Sequence, residues 1–235
     1  ATYTEYLWQL HDEGRAEAHQ GLLGKLAGYI GEDGGRYRRS ITHYRFRSPI
    51  DMFDRHLYEK GGLVLHTLRS ILGEDAFWAG VGAYLATHQY GVVHTRDFQR
   101  AMENSSGKNL DGFFQQFVHG AGHPELEVAV SWAEGLLHIS VKQTQSGPNV
   151  ADIFTFPLVI SVVSAAGRAH ELRLPVDQRE RAWAIPLGEA PDRVEVDADM
   201  AILCSVKLKA SRSLLKSALM GGTTVPGRTR AATAL

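Results

Sequence analysis

The spacing of apolar residues changes once along this chain. Up to about residue 123 they recur at helical intervals, and beyond it they alternate. Tyr3, Tyr6, Leu7 and Leu10 fall at the i, i+3, i+4, i+7 positions of one helix face. A second helix is predicted from Glu13 to Tyr29 with Leu22, Leu23 and Leu26 inward, and Gly34-Gly35 ends its pattern. From Arg36 to Pro49 no period is visible, and the segment is dense in arginine and aromatic residues. Leu57, Gly61, Val64, Leu65, Leu68, Ile71 and Leu72 then form a continuous helical stripe, closed by Gly73 as a C-terminal stop. Phe77, Val81, Tyr84 and Leu85 mark a further helix. Thr95 is placed to cap the next, with Asp97 in a first turn where the helix dipole favours negative charge. Leu110, Phe113, Phe114 and Phe117 mark one more, which Gly120 to Pro124 terminates.

At Pro124 the period becomes two. Leu126, Val128, Val130 and Trp132 alternate with Glu127, Ala129 and Ser131. After a turn at Glu134-Gly135, Leu137, Ile139 and Val141 alternate again, which predicts a hairpin. Further strands are expected at Phe154–Val162, Leu172–Val176, Trp183–Leu187, Val194–Val196 and Ile202–Leu208. Short strands in this number, bounded by Gly, Pro or Asp, predict an antiparallel β-sandwich. Helical spacing resumes at Leu214, Leu215, Ala218 and Leu219, and Pro226 is placed to open a last helix at Gly227. The expected fold class is therefore α+β and multidomain: a helical unit over 1–123, a β-sandwich over 124–208, and from 209–235 the start of a helical, repeat-like region.

Composition adds little beyond ordinary globularity. Of 235 residues, 44% are hydrophobic and 22% charged, and the 25 basic and 26 acidic side chains nearly cancel. No net field points to nucleic acid or to an anionic membrane surface. No apolar run approaches the roughly 18 residues that span a bilayer. The one cysteine, Cys204, excludes an internal disulfide or a cysteine zinc cluster, and its apolar neighbours predict a buried thiol. With no signal-peptide pattern at the start, a cytoplasmic setting is expected. The chain begins and ends within helical patterns, so it is expected to be a fragment.

The familiar catalytic signatures are missing: no G-x-S-x-G elbow, no phosphate loop, no G-x-G-x-x-G and no H-E-x-x-H. His170-Glu171 is followed by Leu174 where a second histidine would stand, on a predicted strand. The 11 histidines are scattered. His66 beside the apolar stripe is expected to be a partly buried structural residue. His119 and His123 enclose two glycines and read as a turn rather than a metal pair.

One segment departs from a plain amphipathic helix: Arg55-His56-Leu57-Tyr58-Glu59-Lys60-Gly61-Gly62. It puts a tyrosine in the first turn, with two small residues one turn on where another element can approach. A phenol, with an ordinary pKa of about 10, is a neutral hydrogen-bond donor suited to a developing oxyanion near a helix N-terminus. Equally, Tyr58 could simply pack at the start of a helix.

Tyr58-Glu59-Lys60-Gly61, the apolar helix after it, Gly73-Glu74, Phe77 and Tyr84-Leu85 resemble the zinc aminopeptidases that include the membrane alanyl and puromycin-sensitive enzymes, of the gluzincin class. Asp97-Phe98, Ser106-Gly107, Leu110, Phe113-Phe114 and Gly122-His123-Pro124 continue the resemblance in order and spacing. Ala1-Thr2-Tyr3 with Glu5-Tyr6-Leu7 is similar to the stretch that follows the family's Asn-Glu-Gly-Phe segment. The resemblance implies that residues 1–123 are the C-terminal helical part of a catalytic domain, followed by the family's sandwich and helical region. It implies that Tyr58 stabilises the tetrahedral oxyanion and that Phe53 is an aromatic residue lining the substrate site. It further implies a Zn2+ cofactor for the parent enzyme, peptide substrates, and zinc ligands, general base and amine-binding motif that all lie outside this chain. No metal-binding residue is therefore expected here, and the chain alone is expected to be inactive. Ala101-Met102-Glu103-Asn104 spells most of the family's Gly-x-Met-Glu-Asn amine-binding motif. It has Arg100 for the glycine and falls on a predicted helix, so Met102 is expected in the core. The alternative function is a non-catalytic, aminopeptidase-like scaffold that binds protein partners.

Overall fold

A computed structural model describes residues 1–235. Eight helices and seven strands follow one another as the change of period requires. Helices α1 (Thr2–Asp12), α2 (Arg15–Gly35), α3 (Glu59–Leu72), α4 (Glu74–His88), α5 (Thr95–Ser106) and α6 (Asp111–Phe114) come first. The last is prolonged by one wide π-turn over Gln115–His119. Strands β1 (Glu125–Ala133), β2 (Leu136–Gln143), β3 (Phe156–Ser164), β4 (Ala169–Val176), β5 (Glu180–Pro186), β6 (Pro191–Val196) and β7 (Ser205–Lys209) follow, then α7 (Arg212–Gly221) and α8 (Val225–Ala234). No helix is long and apolar enough to cross a membrane.

The strands form two sheets, ordered β5-β2-β1-β7 and β4-β3-β6. Register follows the hydrophobic pattern. In the β1–β2 hairpin Val128 faces Val141 and Val130 faces Ile139, so the buried alternation of the two strands coincides. Every pairing is antiparallel except β7 on β1, which is parallel, with Leu126 opposite Val206. A hairpin turn cannot make that junction; β7 returns to the first strand only after the chain has crossed through the other sheet.

One continuous apolar core runs from Tyr3 and Tyr6 of α1, through Leu63, Val64 and Leu68 of α3, to Ile160 and Val162 of β3 and Leu214 and Leu215 of α7. Thr67 ties the helical part to the strands. Its hydroxyl accepts from the buried Leu203 N–H at 2.8 Å and donates to the Leu63 carbonyl at 3.0 Å. The two small residues of the tyrosine segment have separate uses. Gly62 lies under the first turn of α1, where an added Cβ would come within 3.3 Å of Thr2 Cγ2, whereas Gly61 has nothing within 4 Å.

Several boundaries differ from the sequence expectation. The second helix runs on to Gly35, because its backbone ladder needs no side chain to continue through a glycine pair, and only Leu22 of its three leucines is fully buried. His94, rather than Thr95, is the N-cap of α5. Asp97 reaches back to accept from the His94 N–H at 2.8 Å, which makes Thr95 the first helical residue. The last helix starts at Val225, with the Thr224 side chain accepting from the Gly227 N–H. Cys204 and Met102 are buried, as expected.

Candidate active-site wall

Tyr58 is the N-cap residue of α3, preceded by a hydrogen-bonded turn that begins at Asp54. The Asp54 carbonyl accepts from the Tyr58 N–H at 3.1 Å, and Gly62 N–H continues the ladder onto the Tyr58 carbonyl at 2.9 Å. The Asp54 side chain closes the same turn, Oδ1 accepting from the N–H groups of His56 and Leu57, each at 3.0 Å. The position of the phenol therefore depends on a carboxylate four residues upstream.

That carboxylate is held from the other side. Arg39 donates to it from Nε at 2.8 Å and Nη2 at 2.6 Å, and the Tyr37 hydroxyl donates to Oδ2 as well. The remaining Arg39 donors go to the carbonyls of Ser40, Ile41 and Met52. Burial works to raise the Asp54 pKa. The hydrogen bonds from Arg39, Tyr37 and the Leu57 N–H outweigh it and bring the value down to about 2. The irregular arginine-rich segment thus supplies the two-pronged clamp under the tyrosine turn.

Tyr58 itself is 39% exposed, and its hydroxyl makes no hydrogen bond within the chain. It lines a cleft of about 540 Å³ together with Leu57, Gly61, Leu65, Ile41 and Phe98. Phe53 is 60% exposed and lies outside the lining of this cleft, but its ring centroid is 6.0 Å from that of Tyr58, tilted by 59°. The structure brings the two sequence-selected side chains together at the surface.

Behind them lies a buried polar cluster that the sequence reading did not single out. Lys60, fully buried, donates to the Gly120 carbonyl at 3.2 Å and sits over the Tyr29 ring at 5.9 Å; burial brings its pKa down to about 7. His56 Nε2 lies 3.2 Å from Asp33, which is also paired with Arg38 at 2.7 Å. His123 Nδ1 is 3.3 Å from the Tyr29 hydroxyl, and burial pushes its pKa down to about 4, so it is neutral at pH 7. The helical periodicity marks Lys60 only as a polar position next to a stripe, and nothing local reports that Gly120 will stand over it.

Zinc is the cofactor that the family resemblance implies, and the donor groups of this chain do not fit it. Glu32, Asp54 and His56 form the one trio whose ligand atoms all lie within 4.8 Å of each other. Asp54 is engaged by Arg39, and Arg36 and Arg55 flank Glu32 at 3.9 and 3.8 Å, so a dication would meet three guanidinium groups. The other histidine candidates are also accounted for. His119 Nδ1 is 2.7 Å from the Thr42 hydroxyl, away from His123, and burial pushes the His66 pKa down to about 4.

Comparison with known proteins gives this geometry a class. The Peptidase family M1 domain matches residues 1–117, half of the chain. Aminopeptidase N of Streptomyces lividans is 37% identical over 151 residues, covering 63% of this chain and 16% of that protein. Aminopeptidase N of Lactococcus lactis subsp. lactis is 34% identical over 93 residues, covering 39% of this chain and 11% of the relative. Legionella pneumophila aminopeptidase A, solved in complex with aspartic acid, superposes with a TM-score of 0.78 at 19% identity, over 98% of this chain and 26% of that one. It shows the same fold across the helices, both sheets and the C-terminal helices. The chain belongs to peptidase family M1, and the Streptomyces and Lactococcus relatives it matches carry the name aminopeptidase N. It spans about a quarter or less of the length of these relatives.

Proposed function

We propose that this chain forms one wall of the active site of a zinc-dependent aminopeptidase, with Tyr58 donating a hydrogen bond to the oxyanion formed when water adds to the first peptide carbonyl of a substrate. The observation that carries the reading is Tyr58 itself: a phenol on a clamped helix turn, open to a cleft, with no partner inside the chain for its hydroxyl. As the carbonyl oxygen gains charge, a fixed neutral donor gains more in the transition state than in the ground state, which is the condition for catalysis. Phe53 beside it offers an aromatic surface to the substrate.

In this reading the metal is held by residues outside this chain, and no step is assigned to it here. Residues 1–123 belong to the catalytic domain, 124–208 to a sandwich behind it, and 209–235 open a helical domain.

Hydrolysis of an aminoacyl-nitroanilide by the full-length protein, with zinc measured in the same preparation, tests the proposal. Zinc-dependent release of the nitroaniline by the full-length protein and none by the 235-residue chain is the expected result. Chelator-sensitive hydrolysis by the purified chain alone would overturn the assignment of the metal site. A folded full-length protein with neither zinc nor activity would instead support the scaffold reading.

A further inference from the structure

The irregular segment that clamps Tyr58 also opens a second cleft, of about 370 Å³, on its solvent side. Five arginines line it, Arg36, Arg38, Arg39, Arg45 and Arg47, together with His43 and a single carboxylate, Asp51. Two of the five are committed: Arg39 to Asp54, and Arg38 to Asp33 and the Ser146 carbonyl. The other three donate no side-chain hydrogen bond within the chain, although Arg36 and Arg47 each lie near one carboxylate. Arg36 is 3.9 Å from Glu32 and Arg47 is 3.8 Å from Asp51, beyond hydrogen-bond reach, and Arg45 has no acidic partner. Arg47 is 97% exposed at the side chain, so nothing in the fold requires its charge at this place.

We propose that this arginine cleft binds a carboxylate group of a peptide, and that it fixes the far end of a short substrate whose first peptide bond lies at Tyr58. The planar guanidinium fork matches a carboxylate with two parallel hydrogen bonds, and three guanidinium groups with no side-chain hydrogen bond inside the chain line this one concavity. Residues Asp51 and Met52 on the cleft lead directly into Phe53, whose ring is 6.0 Å from that of Tyr58. The functional link to Tyr58 rests on the aminopeptidase reading; the carboxylate site does not.

The carboxylate can come from the peptide's C-terminus or from an acidic side chain, and binding to the 235-residue chain separates the two without any catalysis. Isothermal titration would use tetra-alanine as the free acid, tetra-alanine amide, and the amide of Ala-Ala-Ala-Asp. Saturable binding of the free acid or of the Asp peptide, with the plain amide at least about tenfold weaker, supports the site, and the stronger of the two names the source of the group. The variant carrying Arg45→Gln and Arg47→Gln, both exposed positions, should lose that preference and give the same melting temperature as the parent chain. Binding of the plain amide as tight as that of both the free acid and the Asp peptide, unchanged binding by the double variant, or no saturable binding of any of the three would overturn the proposal. Failure of the aminopeptidase reading would appear elsewhere, in the activity of the full-length protein.

Discussion

The guanidinium of Arg39 donates two hydrogen bonds to the carboxylate of Asp54, at 2.8 and 2.6 Å, and both side chains are 5% exposed. Through this pair an irregular segment and a helix start become one unit, because the same carboxylate accepts from two backbone N–H groups of the turn that carries Tyr58.

Replacing Asp54 tests that unit. Asp54→Asn keeps an acceptor for the backbone but leaves Arg39 buried without its countercharge, so a loss of about 3–5 kcal/mol is expected in chemical denaturation. The pH dependence has a defined sign. The folded pKa of about 2 lies below the ordinary carboxylate value of 3.8, so the contribution is complete above 3.8 and is lost as pH falls toward 2. That contribution is about 2 kcal/mol in the parent chain and should be absent from the acid limb of the variant. An identical acid limb in both proteins would show that Asp54 is not the group responsible.

Thr67 carries the second prediction. Its hydroxyl is the partner of the Leu203 N–H across the boundary between α3 and the strands. Thr67→Val preserves shape but strands a buried donor, at a cost of about 1–3 kcal/mol and a drop of several degrees in melting temperature. An unchanged melting temperature would mean that Leu203 finds another acceptor.

The fully buried Lys60 should make the protein less stable as pH falls from about 10.5 to about 7, with little further change below. Its folded pKa of about 7 lies below the ordinary 10.5, so its favourable contribution is present above 10.5 and declines as pH falls toward 7. Lys60→Met, of similar length and uncharged, should flatten stability between pH 10 and pH 6 and be neutral or stabilising at the acid end (roughly 1–3 kcal/mol). A variant less stable than the parent at pH 6 would show that the bond to Gly120 outweighs the burial of charge.

Much of the architecture is legible in the residues. The alternation from Leu126 to Val141 reports which face is buried, and both strands form there; of the stripe from Leu57 to Leu72 only Val64 and Leu68 are fully buried, because the face of α3 turned to the core also takes in Lys60, Leu63 and Thr67. Caps are less legible, because at His94-Thr95 two adjacent residues can serve and the choice depends on Asp97 folding back. The parallel pairing of β7 with β1 is not legible at all, since alternation says which side of a strand is buried but not which strand lies beside it. At the candidate site, Tyr58 and Phe53 stand out in sequence. Arg39 and Asp54 do not, because their partnership spans 15 residues with no periodic spacing and is created only when the irregular segment folds against the helix start.

The most direct measurement is the steady-state kinetics of Tyr58→Phe in the full-length protein on a short peptide. The substitution removes only a hydroxyl that makes no hydrogen bond within the chain, so the melting temperature should not change. If Tyr58 meets the oxyanion, kcat should fall by about 10²- to 10³-fold with KM little altered, since the contact forms only in the transition state. A variant with unchanged kcat, or one whose loss lies wholly in KM, would contradict the role assigned to Tyr58.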